Sequence, residues 1–355
     1  MSGHTSSPLW PGVPMALASA FLFGATAPLA KGMLGSIEPQ LLAGLLYLGA
    51  GVGLAAVHAA RNAIGIPAPE APLRSTDFPW LAAIIVFGGI LGPVLLMLGL
   101  NRTDAASGSL LLNLEGLATM IIAWVVFREN VDRRLLLGAL AIIIGAIVLS
   151  WDGTGISIDA GALLIAGACV AWAIDNNLTR KLSSADPVVI AMTKGLIAGI
   201  ANIGVAIERG VVVPAASDVG AAALLGFFAI GASLVLFILA LRHLGTARTG
   251  AYFSIAPFVG AIIAVIFIGD PISAKLAIAA ALMGLGLWMH LTENHVHSHD
   301  HEFLEHEHSH VHDDHHRHDH NGPVSEPHSH RHIHEPMQHR HAHFPDLHHR
   351  HGHAD

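Results

Sequence analysis

Charge is scarce in this 355-residue chain: 12% of its residues are Asp, Glu, Lys or Arg, whereas 53% are hydrophobic. A soluble domain usually carries about 25% charged residues, so the composition excludes an ordinary soluble fold and favours a bilayer as the solvent. Cysteine is nearly absent, since Cys169 is the only one, which excludes an intramolecular disulfide and a Cys-based metal site. Basic patches interleaved with aromatic residues are also missing, so no nucleic-acid partner is expected.

Apolar runs long enough to cross a bilayer, about 20 residues each, recur ten times along the chain. The runs are continuous and rich in Ala, Leu, Ile and Gly, which is typical of packed membrane helices and not of the alternating strands of a barrel. The sequence therefore predicts an all-α membrane protein. Its ten transmembrane helices are expected near residues 12–31, 39–60, 78–100, 105–127, 134–151, 158–180, 187–207, 219–241, 248–268 and 273–291.

The loops between these runs differ in their content of Lys and Arg, which stays on the cytoplasmic side of a membrane. With the N-terminus inside, the inner loops hold nine basic residues and the outer positions hold four. This asymmetry predicts a multi-pass protein of a bacterial-type inner (plasma) membrane, with both termini in the cytoplasm and the lipid bilayer as a partner.

An internal repeat is visible when the chain is shifted by 141 residues. The shift places Ile121–Ala123 on Ile262–Ala264 and Glu129 on Asp270. Because each copy contains five spans, an odd number, the second copy must enter the membrane in the opposite orientation. We therefore predict two inverted five-helix repeats, residues 12–151 and 158–291, followed by a separate tail at 292–355.

The motifs of both copies resemble the EamA family of the drug/metabolite transporter superfamily. The first copy has Phe23-Gly24 and a later Lys31, then the run LNLEGLATMIIAWVVFREN, and the second has Trp172-Ala173 and IAPFVGAIIAVIFIGDPIS. The second copy departs from the family pattern in having Asp270 where Glu is commoner. The resemblance implies a carrier built from two five-helix units that moves small organic solutes, often outward, without ATP. Consistent with transport without ATP, the chain contains no GxxxxGKS/T phosphate loop.

Ionisable groups at membrane depth are costly and are therefore candidates for function. Glu115 lies at the middle of the fourth span, where it can bind a proton or a cation in exchange for substrate, or make a helix-to-helix hydrogen bond. Asn113 is about 200° away around an ideal helix, so the two side chains face one cavity only if Gly116 loosens the backbone.

A second group of candidates lies on the sixth and seventh spans, which are antiparallel and joined by a short turn. Asp175 and Lys194 are at similar depth and are expected to form an ion pair or to contact substrate. Trp172 and Asn176, one turn apart on the same face, make this region polar enough for a water-filled vestibule. The family resemblance adds Lys31 as a pathway residue, with snorkelling to the outer interface as the alternative.

The tail, residues 292–355, contains 23 of the 27 histidines and 12 of the 26 acidic residues. In an extended chain the alternating pattern places imidazoles on one side, where they can bind Zn, Ni, Co or Cu. Because the tail has almost no apolar residues, it is expected to be disordered without metal. The candidate metal ligands are His295, His297, His299, His301, His306, His308, His310 and His312.

These patterns together predict a secondary active transporter of a small polar metabolite. It is expected to export this substrate by alternating access, to require no cofactor, and to carry divalent metal ions on its cytoplasmic tail. Two alternatives remain: a divalent-metal exporter whose tail collects the cargo, and a membrane-anchored metal buffer or sensor. An enzyme is not expected, because no nucleophile, base and stabilising group occur together.

Overall fold

The computed structural model describes residues 11–65, 73, 75–127, 133–151, 159–179, 182, 186–244 and 246–292, together with the backbone of four short tail segments. Ten helical spans that are long and apolar enough to cross a membrane occur in this part of the chain. Each begins and ends within three residues of its predicted bounds, so the prediction of a ten-span helical membrane protein is confirmed. The spans are Gly12–Met33, Pro39–Ala63, Ser75–Leu100, Ala105–Val126, Arg133–Ser150, Ala160–Thr179, Val188–Glu208, Ala216–Ala240, Thr249–Ile268 and Ala274–Leu291.

Several spans consist of two to four helical segments. The first half contains a 3₁₀ turn at Ser75–Asp77, a π-helix at Ile85–Leu91, and the helices α1 (Gly12–Gly24), α2 (Thr26–Met33), α3 (Pro39–Ala63), α4 (Phe78–Ile84), α5 (Gly92–Leu100), α6 (Ala105–Leu111), α7 (Asn113–Phe127) and α8 (Arg133–Ser150). The second half contains π-helices at Gly226–Ala232 and Ala264–Ile268, and the helices α9 (Ala160–Thr179), α10 (Pro187–Glu208), α11 (Ala216–Leu225), α12 (Ser233–Leu244), α13 (Thr246–Phe253), α14 (Ala256–Ile263) and α15 (Ala274–Leu291).

Prolines explain three of the interruptions. Pro28, Pro93 and Pro257 each lie in the first turn of the segment that follows a break. A proline has no N–H to donate and its ring clashes with the carbonyl four residues earlier, so a helix restarts around it. The fourth span also breaks, at Leu112, although it has no proline there: the position equivalent to Pro257 is Gly116.

The structure repeats in the register that the sequence predicts. The π-helix of the third span starts at residue 85 and that of the eighth at 226, and α8 and α15 begin at 133 and 274; both pairs differ by 141. The helix of the second span in each half, α3 and α10, begins with a proline that follows an acidic cap. Glu38 accepts a hydrogen bond from the Leu41 N–H, and Asp186 accepts one from the Val188 N–H. The two halves are therefore copies of one five-helix unit.

The halves meet most extensively where the second span packs against the seventh. A side chain added at Gly51 would overlap the backbone of residues 195 and 196, so the two helices touch through their main chains. Gly226, in the π-helix of the eighth span, packs equally closely on the Leu46 carbonyl. Small residues allow this close approach, which supplies the packing that holds membrane helices together.

Four seven-residue strands occur in the tail: β1 (His295–His301), β2 (Leu304–His310), β3 (His328–His334) and β4 (Met337–His343). β1 pairs with β4 and β2 with β3, both antiparallel. These segments coincide with the alternating-histidine runs of the tail, whose pattern favours extended backbone. An isolated pair of strands is only marginally stable in water, so the pairing does not give the tail a packed core.

Candidate functional site: a charged cavity between the halves

A cavity of about 380 Å³ lies between the two halves of the protein. Each half contributes twelve residues to its lining, from spans one to four and from spans six to nine. The fifth and tenth spans do not contribute, and they pack on each other at one side of the bundle. A volume of this size suits a small molecule, since ligand sites range over about 300–1,000 Å³.

An ion pair lies in the cavity wall. Lys194 Nζ is 2.7 Å from Asp175 Oδ2, as the antiparallel arrangement of the sixth and seventh spans predicts. The Asp175 side chain is 6% exposed, so its charge depends on this partner. Thr179 donates a further hydrogen bond to Asp175 Oδ1, at 3.3 Å. A side chain at Gly88 would overlap the Asp175 carboxylate, so glycine at this position leaves room for the pair.

The π-helix of the third span presents backbone carbonyls to side chains of the site. The Gly88 carbonyl accepts hydrogen bonds from the Tyr47 hydroxyl at 2.8 Å and from the Trp172 indole at 3.0 Å. The next carbonyl, of Gly89, accepts one from the Asn202 amide at 3.3 Å. A π-helix alters the regular α-helical pairing, and such segments occur frequently at functional sites. Two aromatic residues of the cavity are thus fixed by the backbone of one helix.

Glu115 lines the cavity from the fourth span. Its carboxylate accepts a hydrogen bond from Asn176 Nδ2 at 2.9 Å, which ties the fourth span to the sixth. Thr119, one turn later, donates to the Glu115 carbonyl at 2.9 Å, and the Asn177 amide donates to the Thr119 carbonyl at 3.3 Å. The acid is therefore held by one described neutral donor, Asn176, from a helix of the other half.

An aromatic group forms another part of the lining. The Phe253 ring centroid lies 5.2 Å from that of Phe23 and 4.9 Å from that of Phe237. These rings come from the first, eighth and ninth spans, whose described residues contribute no Asp, Glu, Lys or Arg to the cavity. The cavity therefore combines a charged region with an apolar aromatic one.

Five of the seven predicted pathway residues meet in this lining: Glu115, Trp172, Asp175, Asn176 and Lys194. Asn113 and Lys31 do not belong to it. Asn113 donates to the Leu110 carbonyl at 2.8 Å and contacts the Met283 sulfur at 3.9 Å, so it packs toward the tenth span. The Lys31 ammonium donates to the Leu100 carbonyl at 2.6 Å, near the end of the third span.

Tyr47, Phe237 and Phe253 were not predicted, because aromatic residues are common in every membrane helix. Phe23 was noted only as part of the family motif Phe23-Gly24 and not as a pathway residue. Gly88 was missed as well, although the sequence FGGILGP around it offers a signal: neighbouring glycines before a proline interrupt an otherwise apolar span. Asn202, fully buried, is a polar residue in an apolar run and was detectable in the same way as Glu115.

No group of three or more His, Cys, Asp or Glu side chains that could hold a metal occurs among the described residues. The side chains of the predicted tail ligands, and the whole of His312, lie outside the described part of the chain. Metal binding by the tail therefore stays a prediction.

The ion pair leads to a prediction about stability. Asp175→Ala or Lys194→Ala should each destabilise the protein by about 3–5 kcal/mol, because each leaves a buried charge unpaired. The double substitution should recover part of that loss, since the two residues interact directly. Chemical unfolding in detergent measures the free energy of unfolding of the wild type, the two single variants and the double variant. Arg209→Ala is the matched control: Arg209 Nη1 lies 3.8 Å from Glu38 at the surface, and losing such a pair costs less than about 1 kcal/mol. Strictly additive losses at Asp175 and Lys194 would rule out the coupling.

Comparison with known proteins agrees with this architecture. The model of the EamA-like transporter family matches the chain twice, at residues 10–151 and 159–292. An uncharacterized transporter of Methanothermobacter thermautotrophicus is 28% identical over 79% of this chain and 86% of its own length. The uncharacterized transporter YyaM of Bacillus subtilis is 26% identical over 77% and 91%.

A solved crystal structure of a protein with 21% sequence identity shares the fold. Its TM-score is 0.58, over 79% of this chain and 95% of that chain. The two family matches coincide with the two structural repeats and leave the tail unmatched. The chain thus belongs to the EamA-like transporter family.

Proposed function

We propose that the protein is a secondary carrier that exports a small polar metabolite by alternating access to the cavity between its halves. The observation that carries this proposal is the cavity lining, to which two inverted copies contribute equally and which holds Glu115 beside a buried ion pair. Inverted repeats favour this mechanism, because each half can adopt the conformation of the other and so open the site to the opposite side.

Contacts between the halves support a closed end near the start of the fourth span. Asp270 Oδ2, from the loop after the ninth span, accepts a hydrogen bond from the Ala106 N–H at 2.7 Å. This contact must break when that end opens. The paired π-helices of the third and eighth spans are suited to such a change, since their hydrogen-bond pattern already departs from the α-helical one.

Glu115 is the proposed coupling residue. It is the carboxylate of the cavity that has no cationic partner within hydrogen-bond distance among the described residues, and Asn176 holds it toward the sixth span. An uncompensated carboxylate in a membrane interior is stable when it binds a proton or a cation. Loading and release of a proton at Glu115 can therefore alternate with substrate.

Glu115→Gln should abolish transport driven by a pH gradient while leaving the protein folded, because the amide cannot ionise. Proteoliposomes are loaded with a total metabolite extract and a pH dye. The dye reports the proton flux, and mass spectrometry of the medium identifies the exported solutes. Glu208→Gln, an exposed acid at the end of the seventh span, is the control and should behave as wild type. Undiminished proton-coupled export in Glu115→Gln would remove this residue from the mechanism.

The tail is proposed to bind divalent metal on the cytoplasmic side, as a buffer or sensor separate from the carrier. The ten spans found among the described residues are an even number, which would put the start of the first span and the end of the last on one side of the membrane, and the distribution of basic loops favours the cytoplasm. The tail leaves the membrane at a defined point, because Arg134 donates to Thr292 and lies 5.2 Å from the Trp288 ring. No observation among the described residues favours the metal-exporter alternative.

A chain ending after Thr292 should fold, insert and keep the transport of its organic substrate, because both family repeats are intact. The full chain should bind several more Zn or Ni ions than the shortened one. That extra affinity should fall as the pH drops through about 6.5, since protons compete for the imidazole nitrogens. Equilibrium dialysis at two pH values measures the metal bound by the full and the shortened chain. Export from extract-loaded proteoliposomes measures the transport activity of both. A shortened protein that is folded but inactive would make the tail part of the transport cycle and would favour the metal-exporter alternative.

A further inference from the structure

We infer that the cavity accepts an organic ammonium ion with an aromatic or apolar body, and exchanges it one for one against a proton at Glu115. This inference rests on the proposed carrier function and specifies its substrate class and its charge balance. Three observations carry it: the number of charges in the lining, their pairing, and the position of the aromatic group.

The described lining contains two carboxylic acids, Glu115 and Asp175, and one amine, that of Lys194. The ammonium of Lys194 lies 2.7 Å from Asp175, so these two charges cancel. Among the described residues, the side-chain donor to the Glu115 carboxylate is the amide of Asn176, at 2.9 Å, which is neutral. An ionised Glu115 therefore leaves the cavity with one uncompensated negative charge.

One negative charge in a low-dielectric cavity is neutralised by one positive charge. A proton on the carboxyl satisfies this requirement, and so does a bound ammonium group on the carboxylate, but the two exclude each other. When the ammonium ion binds, the Glu115 proton leaves to the aqueous side from which the substrate entered. The cavity is neutral in both states, so the exchange moves no net charge across the membrane.

A substrate carboxylate is not accommodated in the same way. Lys194 is the one cation of the described lining, and binding an acid or a zwitterion would require it to release Asp175. Asp175 would then keep only the Thr179 hydroxyl, at 3.3 Å, as a described side-chain donor. Stranding a buried carboxylate is strongly unfavourable, so the site selects a cation over a zwitterion or an anion.

The aromatic group of Phe23, Phe237 and Phe253 accommodates the rest of the substrate. The spans that carry these rings contribute no described charge to the lining, so an apolar body can contact them while its ammonium group reaches Glu115. Trp172 lies near the charged region, with its indole N–H donated to the Gly88 carbonyl. Aromatic ring faces also attract cations, which further favours an amine.

Three probes with the same ring test the head group: 2-phenylethylamine, phenylalanine and 3-phenylpropanoate. Proteoliposomes of the full chain carry an internal pH dye, and the membrane potential is clamped with potassium and valinomycin. We expect the labelled amine to move with an opposite proton flux, at a rate that the clamped potential does not change. Glu115→Gln should abolish this exchange and Glu208→Gln should not affect it.

A third variant tests the aromatic group. Phe253→Leu should keep proton exchange but raise the half-saturating concentration of the amine about 3- to 10-fold, because it removes an aromatic contact and not the charge. A variant that lost structure would lose proton exchange as well.

The outcomes separate the two proposals. Movement of phenylalanine or phenylpropanoate in place of the amine overturns the inferred substrate class and leaves the carrier proposal standing. Amine movement that follows the membrane potential overturns the one-for-one exchange. If none of the three probes moves, the ammonium inference is overturned, and the carrier proposal is judged by metabolite export from the extract-loaded vesicles.

Discussion

Neutralisation of charge inside the bilayer is the constraint on which the rest of the interior depends. Glu115, Asp175 and Lys194 are the acidic and basic side chains of the described lining, and each has a defined polar partner. The ion pair neutralises two of them, and Gly88 leaves the space in which Asp175 can reach Lys194. Glu115 is left with one described donor, the neutral amide of Asn176, and this is the basis of its proposed role in proton coupling.

The backbone of the third span links this charge arrangement to the fold. Because its π-helix presents the Gly88 carbonyl to Tyr47 and Trp172, one helix orients side chains from the second and sixth spans. The eighth span has the same π-helix in the equivalent position, but there it packs against the second span through Gly226. The inverted repeat thus supplies one backbone frame twice, while the charges occupy only one side of it. Both halves contribute charges, but only on this side of the cavity, so a symmetric scaffold carries an asymmetric site.

Much of the fold could be predicted from sequence because bilayer thickness fixes span length, and because the shift of 141 residues places equivalent helices on each other. The ion pair of Asp175 and Lys194 was predictable for a related reason: residues equally far from the short turn between two antiparallel helices lie at the same depth and next to each other. An ideal helix separates Asn113 from Glu115 by about 200°, and both lie in α7, but the sequence alone does not say which of the two faces the cavity. The aromatic group and the role of Tyr47 could not be predicted either. They depend on contacts between distant spans that no local pattern records, as between Phe23 and Phe253.

The central claim is that this cavity opens alternately to the two sides of the membrane. Accessibility of a single cysteine tests it most directly, in a background where the buried Cys169 is replaced by Ala. Leu234→Cys lies in the cavity lining, and Ala198→Cys, buried outside that lining, is the control. A membrane-impermeant maleimide applied to each side in turn should label Leu234→Cys from both sides and leave Ala198→Cys unmodified. Labelling of Leu234→Cys from one side only, under both directions of a pH gradient, would contradict the account.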